Sequence, residues 1–336
     1  MSTHPQITVV LPAHNAETTI AASIQSILHQ SYIDFELWVL ESRSNDHTVE
    51  IAKSFTDPRV KVFELGSLNF QETLEFALKK AETKWLARMD ADDLSFPERF
   101  AEQMMVVEQR PDLVLVGTQR AYLTPCGHIF EPAEKVVSKE VDRLSLRSMG
   151  IDRKFFVDAS VIFKRNIALE VGGYDSEFQM GDVPLWFRML NRGKGWEIAK
   201  PLYLYRLHPS SLLQTQIQPS DHSFRVIAKY TPDLLDSHFP EGKFQPKPVS
   251  WHQQYFWLRI AMYEALTGDR EAILHAVDFL DKTGPFKHEA RIIRWFAYLG
   301  PLGPLFYKWY RRNKYRHRPD LEKRFRDLFG SLNFSG

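Results

Sequence analysis

An alternation of two hydrophobic periods constrains this chain most. "ITVVL" (7–11) is a continuous apolar, β-rich run, and Ile20, Ile24, Ile27 and Leu28 then recur at helical spacing. "FELWVL" (35–40) reads as a strand and "DHTVEIAKSF" (46–55) as a helix with Ser44 or Asn45 near its start as a cap. "VKVFEL" (60–65) is a strand, Leu74, Ala77, Leu78 and Ala81 mark a helix, and "KWLARM" (84–89) is a strand. Pro97 opens a helix with Phe100, Met104 and Val107 inward, and "DLVLVG" (112–117) is the next strand. Five βα repeats predict an α/β fold, a mostly parallel sheet with helices on both faces. In such sheets ligands sit beyond the carboxyl ends of the strands.

After residue 118 the rhythm breaks. "AYLTPCGHIF" predicts a hairpin around Pro125, Cys126 and Gly127. A helix is expected near 139–148, a strand at "FVDASVIFK" (156–164), a turn at "GGY" (172–174), a short helix at "VPLWFRML" (183–190) and an extended segment at "WEIAKPLYLYRLH" (196–208). Residues 213–250, rich in Gln, Ser, Pro and His, read as a linker or mobile loop. Residues 251–336 read as a helical C-terminal extension, with Trp257, Ile260, Ala261 and Ala265 on one face.

Bulk properties exclude several classes. A net charge of +1 over 336 residues gives no global field for nucleic acid. The one cysteine, Cys126, allows no internal disulfide and points to a reducing, cytoplasmic compartment; its turn-like flanks make it a poor nucleophile. "MSTHPQ" lacks a basic-then-apolar pattern, so no signal peptide is expected. "WFAYLGPLGPLFY" (295–307), interrupted by two prolines, is shorter than the roughly 20 residues a spanning helix needs.

The chemistry concentrates in "MDADD" (89–93), where Asp90, Asp92 and Asp93 crowd into four residues directly after a strand. Carboxylates at i and i+2 on a strand end can share a hard divalent cation, which relieves their repulsion and can hold a diphosphate. The acids can instead stabilise the start of the helix opened by Pro97; Asp93 does that or forms a turn.

The context narrows this choice. "VVLPAHNAETTIAASIQSILHQSYIDFELWVLESRSNDHT", followed by "KWLARMDADDLSFPERFAEQ", "GGYD" and "LWFR", resembles the family 2 glycosyltransferases with the GT-A fold over about residues 6–212. The resemblance implies a glycosyltransferase domain over 1–212, with a nucleotide-binding half (1–117) and an acceptor half (118–212). It implies transfer from a nucleotide diphosphate sugar, a UDP-sugar, to a saccharide or lipid-linked saccharide, of the bacterial surface-polysaccharide type. By resemblance Asp92 is the direct ligand of Mn2+ or Mg2+, and Asp90 contacts the ribose or the metal shell. Pro12, His14, Asn15, Glu41, Ser42, Asn69 and Ala91 are expected around the nucleotide sugar. Asp182, in "MGDVPLWFR", is the expected base for the acceptor hydroxyl, or else a helix N-cap; one base opposite the leaving group implies inversion. His208, in "YRLH", is a further metal ligand or an ordinary surface or core residue. Trp186 stacks on the acceptor sugar or belongs to the core.

The pattern also departs from the family. The second strand ends in Glu41-Ser42-Arg43-Ser44 rather than Asp-Asp-Gly-Ser, and Asn69 stands near where relatives carry a cation beside the diphosphate, a charge that Arg43 or Arg88 can supply instead. Asp158 stands where a His is common. These departures keep open a catalytically impaired nucleotide- or sugar-binding partner subunit. A nucleotidyltransferase is disfavoured, because "LPAHNAETTI" lacks a Gly-rich, basic loop. In the tail, "RRNKYRHR" (311–318) carries five Arg or Lys after an aromatic stretch. That predicts peripheral contact of residues 295–318 with an anionic membrane, on its inner face, or a solvated helix face.

Overall fold

The structure is a computed structural model that describes residues 5–132, 137–142, 157–178, 182–208, 229, 249–280, 285–299, 302–310 and 315–329. The expected linker at 213–250 and residues 311–314 of the basic tail therefore lie almost wholly outside the described residues. The chain forms two compact units. One comprises Met1–Arg120, Val136–Tyr205 and Pro219–Lys243, the other Ala121–Lys135, Arg206–Gln218 and Phe244–Gly336.

In the first unit, β1 (Ile7–Ala13), β2 (Phe35–Glu41), β3 (Val60–Glu64) and β4 (Trp85–Arg88) are parallel, in the order β4-β1-β2-β3. All seven residues of β2 are buried, so both faces of the sheet are covered. Trp38 and Leu40 join Leu74, Ala77 and Leu78 of α3 (Phe70–Lys80) and Leu185 and Trp186 of a later helix in one core cluster. The chain steps outward through β2 and β3 and then crosses to the other side of β1 for β4. That reversal of strand order opens a crevice at the carboxyl edge between β1 and β4.

The fifth expected strand differs. It is β6 (Leu113–Leu123), following the two-residue β5 (Leu94–Ser95) and α4 (Arg99–Gln109), and it does not extend the parallel sheet. A three-residue strand, β9 (Ile162–Lys164), lies between β4 and β6, antiparallel to both, with Phe163 opposite Leu86 and Leu115. Of the strand expected at 156–164, only its last residues are a strand, and Asp158–Ser160 form a 3-10 turn. The helix expected near 139–148 begins instead as β8 (Lys139–Val141), antiparallel to β10 (Lys194–Arg206); residues 143–150 lie outside the described residues. The short helices α5 (Arg165–Glu170) and α6 (Asp182–Met189) complete this unit.

α1 (Ile20–Leu28) carries an apolar stripe and, beside it, Ser23 and Ser26, with Gln30 just past its C-cap, all three buried. Their partners lie in the loop after β4. The Ser23 hydroxyl sits 2.7 Å from the carbonyls of both Ala91 and Asp93, and Ser95 N–H donates to Ser26 Oγ at 3.1 Å. Gln30 Nε2 donates to the Phe96 carbonyl at 2.8 Å, and Phe100 N–H donates to Gln30 Oε1 at 3.1 Å. Buried loop backbone needs such partners, and the helix supplies them.

Neither Ser44 nor Asn45 caps α2 (Thr48–Lys53): His47 holds the N-cap position without a side-chain cap bond, and Asp46 Oδ1 just before it accepts from Thr48 N–H at 3.0 Å. Ser44 and Asn45 bond instead to Asn15, as described below.

In the second unit the end of β6 and β7 (Ile129–Pro132) form the expected hairpin, with Tyr122 opposite Phe130. α7 (Val249–Glu264) buries Trp257, Ile260 and Ala261, with Ala265 just beyond it, as the spacing predicts. α8 (Arg270–Asp278), α9 (Lys287–Ala297), α10 (Gly303–Tyr310) and α11 (Pro319–Phe329) follow. Within the expected all-helical extension, Tyr315–His317 form a strand, β11, antiparallel to β7. Tyr263 stacks on Phe130 at 5.2 Å, and Arg318 pairs with the buried Glu131.

Ionic contacts join these elements. His128 Nδ1 donates to the buried Glu264 at 2.6 Å, and Asp269 lies 3.9 Å from its other nitrogen. His317 bonds Glu322 at 2.7 Å. Burial pulls the His128 imidazolium down, but the Glu264 bond and the charges of Glu264, Glu322 and Asp269 outweigh it, and its pKa is raised. Burial pushes Glu322 up, while its bonds from His317 and Ile129 N–H outweigh that and hold its pKa low. Burial beside Glu264 and Asp269 pushes the Cys126 thiol up to about 12, so it is not a thiolate at neutral pH. The His128 contribution is complete below its unfolded pKa, about 6.5, and is lost as pH rises through the raised folded value. Glu322 contributes above its ordinary range and loses that contribution in acid. The urea midpoint should therefore fall between pH 6 and pH 9, and His128→Asn should flatten that fall; a wild-type midpoint equal at both ends contradicts the pairing.

Candidate active site

The carboxyl ends of β1 and β2 carry most of the residues expected at the nucleotide. Asn15 takes a left-handed backbone, φ 47°, and its Oδ1 accepts from Asn45 N–H at 2.8 Å. Its own N–H donates to Ser44 Oγ at 3.1 Å, so one Asn joins the two loops. His14 Nδ1 donates to the Ser42 carbonyl at 2.9 Å, and Ser42 N–H donates to the Ala13 carbonyl. Pro12 pairs with Leu40 in the sheet. Glu41 is buried, and its Oε1 accepts from Ser44 N–H at 2.8 Å. Arg43, also left-handed at φ 62°, donates both Nε and Nη2 to the Ser67 carbonyl. Asn69 caps α3: its Oδ1 accepts from Glu72 N–H at 2.9 Å while Glu72 Oε2 accepts from Asn69 N–H at 2.7 Å, a reciprocal capping box.

At the end of β4 the guanidinium of Arg88 is 1 % exposed and lies between two expected site residues. Its Nε donates to Asp182 at 3.1 Å, and its Nη2 donates to Asp90 at 3.0 Å and to Asp182 at 3.3 Å. The Phe70 ring lies 5.5 Å from its centre. Asp182 is the first residue of α6, 7 % exposed, and also takes a hydrogen bond from the buried Tyr174 hydroxyl. Asp182 thus stands at a helix start with its carboxylate turned to Arg88 at the end of β4.

Burial pushes the Asp182 carboxyl above the ordinary range, Arg88 opposes that, and Asp158 adds to it. Burial likewise pushes Asp90 up to about 6, against Arg88, with the Asp92 and Asp182 charges adding. Around the loop, Tyr203 OH donates to Asp93 Oδ2 at 2.7 Å and accepts from Asp90 N–H at 3.3 Å. Arg99 Nη2 donates to the Arg88 carbonyl at 2.6 Å. Burial lowers the Arg99 pKa to about 10, which still leaves it charged at neutral pH.

Asp90, Asp92 and Asp93 each present an oxygen, and the three lie within 4.8 Å of one another. Hard oxygen donors at that spacing fit Mg2+ or Mn2+. Asp93 forms a turn, with its N–H to the Asp90 carbonyl at 3.4 Å, the second of its two expected roles. Ala91 is buried between the two acids, its carbonyl within reach of Ser23. His208 follows β10, half-buried, in the second unit. Trp186 corrects its expected acceptor contact: it is fully buried, edge-on to Phe163 at 5.0 Å, and its apolar neighbours on α6 draw it into the core. Sequence reading missed Tyr174, Tyr203 and Ser23. The alternation in "PLYLYR" was the one available sign of Tyr203, while Tyr174 was legible only as part of a turn.

A family model described as glycosyl transferase family 2 matches residues 8–171. The O-antigen biosynthesis glycosyltransferase WbnJ of Escherichia coli is 31% identical over 236 residues, 66% of this chain and 89% of that protein. A second Escherichia coli protein, the UDP-Glc:alpha-D-GlcNAc-diphosphoundecaprenol beta-1,3-glucosyltransferase WfgD, is 32% identical over 105 residues, covering 30% of this chain and 40% of that one. Among solved structures, S. aureus TarS 1-349 in complex with UDP-GlcNAc superposes with a TM-score of 0.55 at 16% identity, over 87% of this chain and 89% of that one, a likeness of fold. With the family match, the fold is GT-A, a mostly parallel sheet with helices and a helical C-terminal region. The chain belongs to glycosyl transferase family 2 and is a glycosyltransferase.

Proposed function

We propose that this enzyme transfers a sugar from a UDP-sugar to a saccharide or lipid-linked saccharide acceptor, with inversion and with Mn2+ or Mg2+, in bacterial surface-polysaccharide synthesis. The observation that carries the reading is Arg88, whose one buried guanidinium joins Asp182 to Asp90 at the carboxyl edge of the sheet. WbnJ, an O-antigen biosynthesis glycosyltransferase, and WfgD, a glucosyltransferase named for an alpha-D-GlcNAc-diphosphoundecaprenol acceptor, support the pathway and the acceptor class.

The acceptor oxygen attacks the anomeric carbon, the bond from that carbon to the diphosphate breaks with its electron pair on the diphosphate, and the proton passes to Asp182. Burial favours that uptake, because it brings the Asp182 pKa nearer to working pH, while Arg88 keeps the carboxylate ionised beforehand. Asp92, with Asp90, would hold the divalent cation, which when bound neutralises charge developing on the leaving diphosphate. Pro12, His14, Asn15, Glu41, Ser42, Asn69 and Ala91 are proposed to line the donor site, with Glu41 or Ser42 toward the base. A lipid-linked acceptor brings the enzyme to the inner face of the membrane as a peripheral protein.

A partner subunit that binds without turnover is the second reading. Asn69 and Arg43 favour it, since the first is committed to a helix cap and the second to the Ser67 carbonyl. A thermal-shift panel of UDP and GDP with Mn2+ or chelator tests donor and metal together, because a ligand of the native state raises the midpoint. Asp92→Asn should abolish the Mn2+-dependent UDP shift while the unliganded midpoint stays or rises. Equal shifts in chelator and Mn2+ exclude the metal role.

Asp182→Asn should keep UDP binding and cut transfer by about 10²–10⁴, the usual worth of a placed base. Wild-type turnover in that variant excludes Asp182, and absence of turnover in the wild type itself favours the partner subunit. Arg88→Met should lower stability by about 3–5 kcal/mol, because it strands the buried Asp182 charge. Combining it with Asp182→Asn should recover most of that loss in urea unfolding.

A further inference from the structure

The second unit carries an exposed aromatic edge flanked by cations. In α9 the inward residues Ile293, Phe296 and Ala297 are buried, and Phe296 meets the buried Tyr307 of α10 at 5.3 Å. The outward residues run Lys287, Arg291, Trp295 and Tyr298, all exposed and spaced by four, four and three, so they form one helical stripe. Trp295 is 58% and Tyr298 60% exposed, and the turn into α10 adds Leu302 at 55% and Leu305 at 63%. The exposed Arg270 guanidinium lies 5.0 Å from the Tyr298 ring centre and brings a third cation to this edge. Among the described residues, no helix is long and apolar enough to cross a membrane.

Each half of this stripe points to the same partner. Trp and Tyr with an apolar body and a polar tip favour the boundary between water and acyl chains. Leu302 and Leu305 supply side chains to insert beside them. Lys287, Arg291 and Arg270 complement the charge of anionic headgroups, each basic residue near such a surface adding to the attraction. Exposed aromatic and leucine side chains thus lie between cations, Lys287 and Arg291 toward one end and Arg270 at Tyr298, a charge complement to an anionic lipid surface.

We infer that the α9–α10 edge docks on an anionic lipid surface through Trp295, Tyr298, Leu302 and Leu305, with Lys287 and Arg291 on the headgroups. This rests on the peripheral-membrane part of the proposed function, and its test reads lipid binding alone, so it can fail while sugar transfer stands. Within the stretch expected from sequence, 295–318, Trp295, Tyr298, Leu302 and Leu305 are exposed while Phe296 is buried in the core; Arg311, Arg312 and Lys314 lie outside the described residues.

Co-sedimentation of the full chain with phosphatidylcholine vesicles, with and without phosphatidylglycerol, tests the inference. The wild type should pellet with the anionic vesicles at low salt and be released as salt shortens the screening length to about 10 Å at 0.1 M and below that at higher salt. Lys287→Gln with Arg291→Gln should weaken binding roughly tenfold or more. Trp295→Ser with Leu302→Ser and Leu305→Ser should abolish it at every salt concentration, with UDP-induced thermal shifts unchanged in both variants. Wild-type protein left in the supernatant with anionic vesicles overturns the inference, as does a triple variant that pellets like the wild type. Self-association abolished by the triple variant, without vesicle binding, overturns it too and gives this edge to a second copy. If the triple variant loses stability, the charge pair and the wild-type salt response decide the outcome.

Discussion

One buried guanidinium organises the carboxyl edge of the sheet. Arg88 stands at the last position of β4 and is out of contact with water, yet it faces the carboxylates of Asp90 and Asp182. Either acid buried alone would be driven toward its neutral form, and Arg88 buried alone would carry a desolvation penalty of several kcal/mol. Together they are tolerable, and the arrangement links residues 94 positions apart in sequence. Whatever binds at Asp90 therefore acts on the same cation that holds Asp182. Tyr174 and Tyr203 close the network, one on Asp182 and the other on Asp93 and the Asp90 amide.

The acidic loop owes its shape to α1 rather than to its own residues. Ser23, Ser26 and Gln30 form a polar stripe, buried with the apolar one, and satisfy the backbone of residues 91–100. Three like charges are thereby held in a short turn without relying on favourable contacts among themselves. Asn15 does similar work on the opposite side of the crevice, joining the loops after β1 and β2 through both its amide N–H and its side chain. The site is thus built from loops, but each loop is tied to a rigid element, which keeps a ligand edge in place.

How much was legible follows from the range of each signal. The four parallel strands and their helices were readable because periodicity is local. The site acids were readable because their spacing and position after a strand are local too. Long-range pairing was not. Nothing in "SVIFK" announces that it will insert between β4 and β6, and the start of the helical pattern near 139–148, Lys139–Val141, pairs with β10 instead. Trp186 was ambiguous for the same reason, since helical spacing fits a core residue and a sugar platform equally, and only packing against Phe163 separates them.

The candidacy of Asp182 came from the family resemblance; sequence alone determined the strand–helix alternation and the crowding of Asp90, Asp92 and Asp93. Each depends on side-chain period or covalent proximity, which no tertiary contact can alter. Tertiary structure alone decided that Arg88 joins two of those acids, that Asn69 is a helix cap, that Trp186 belongs to the core, and that Tyr315–His317 form a strand. Those outcomes depend on desolvation and on hydrogen-bond partners brought from far along the chain. Both are properties of the folded surroundings, and a residue's own neighbours in sequence do not carry them.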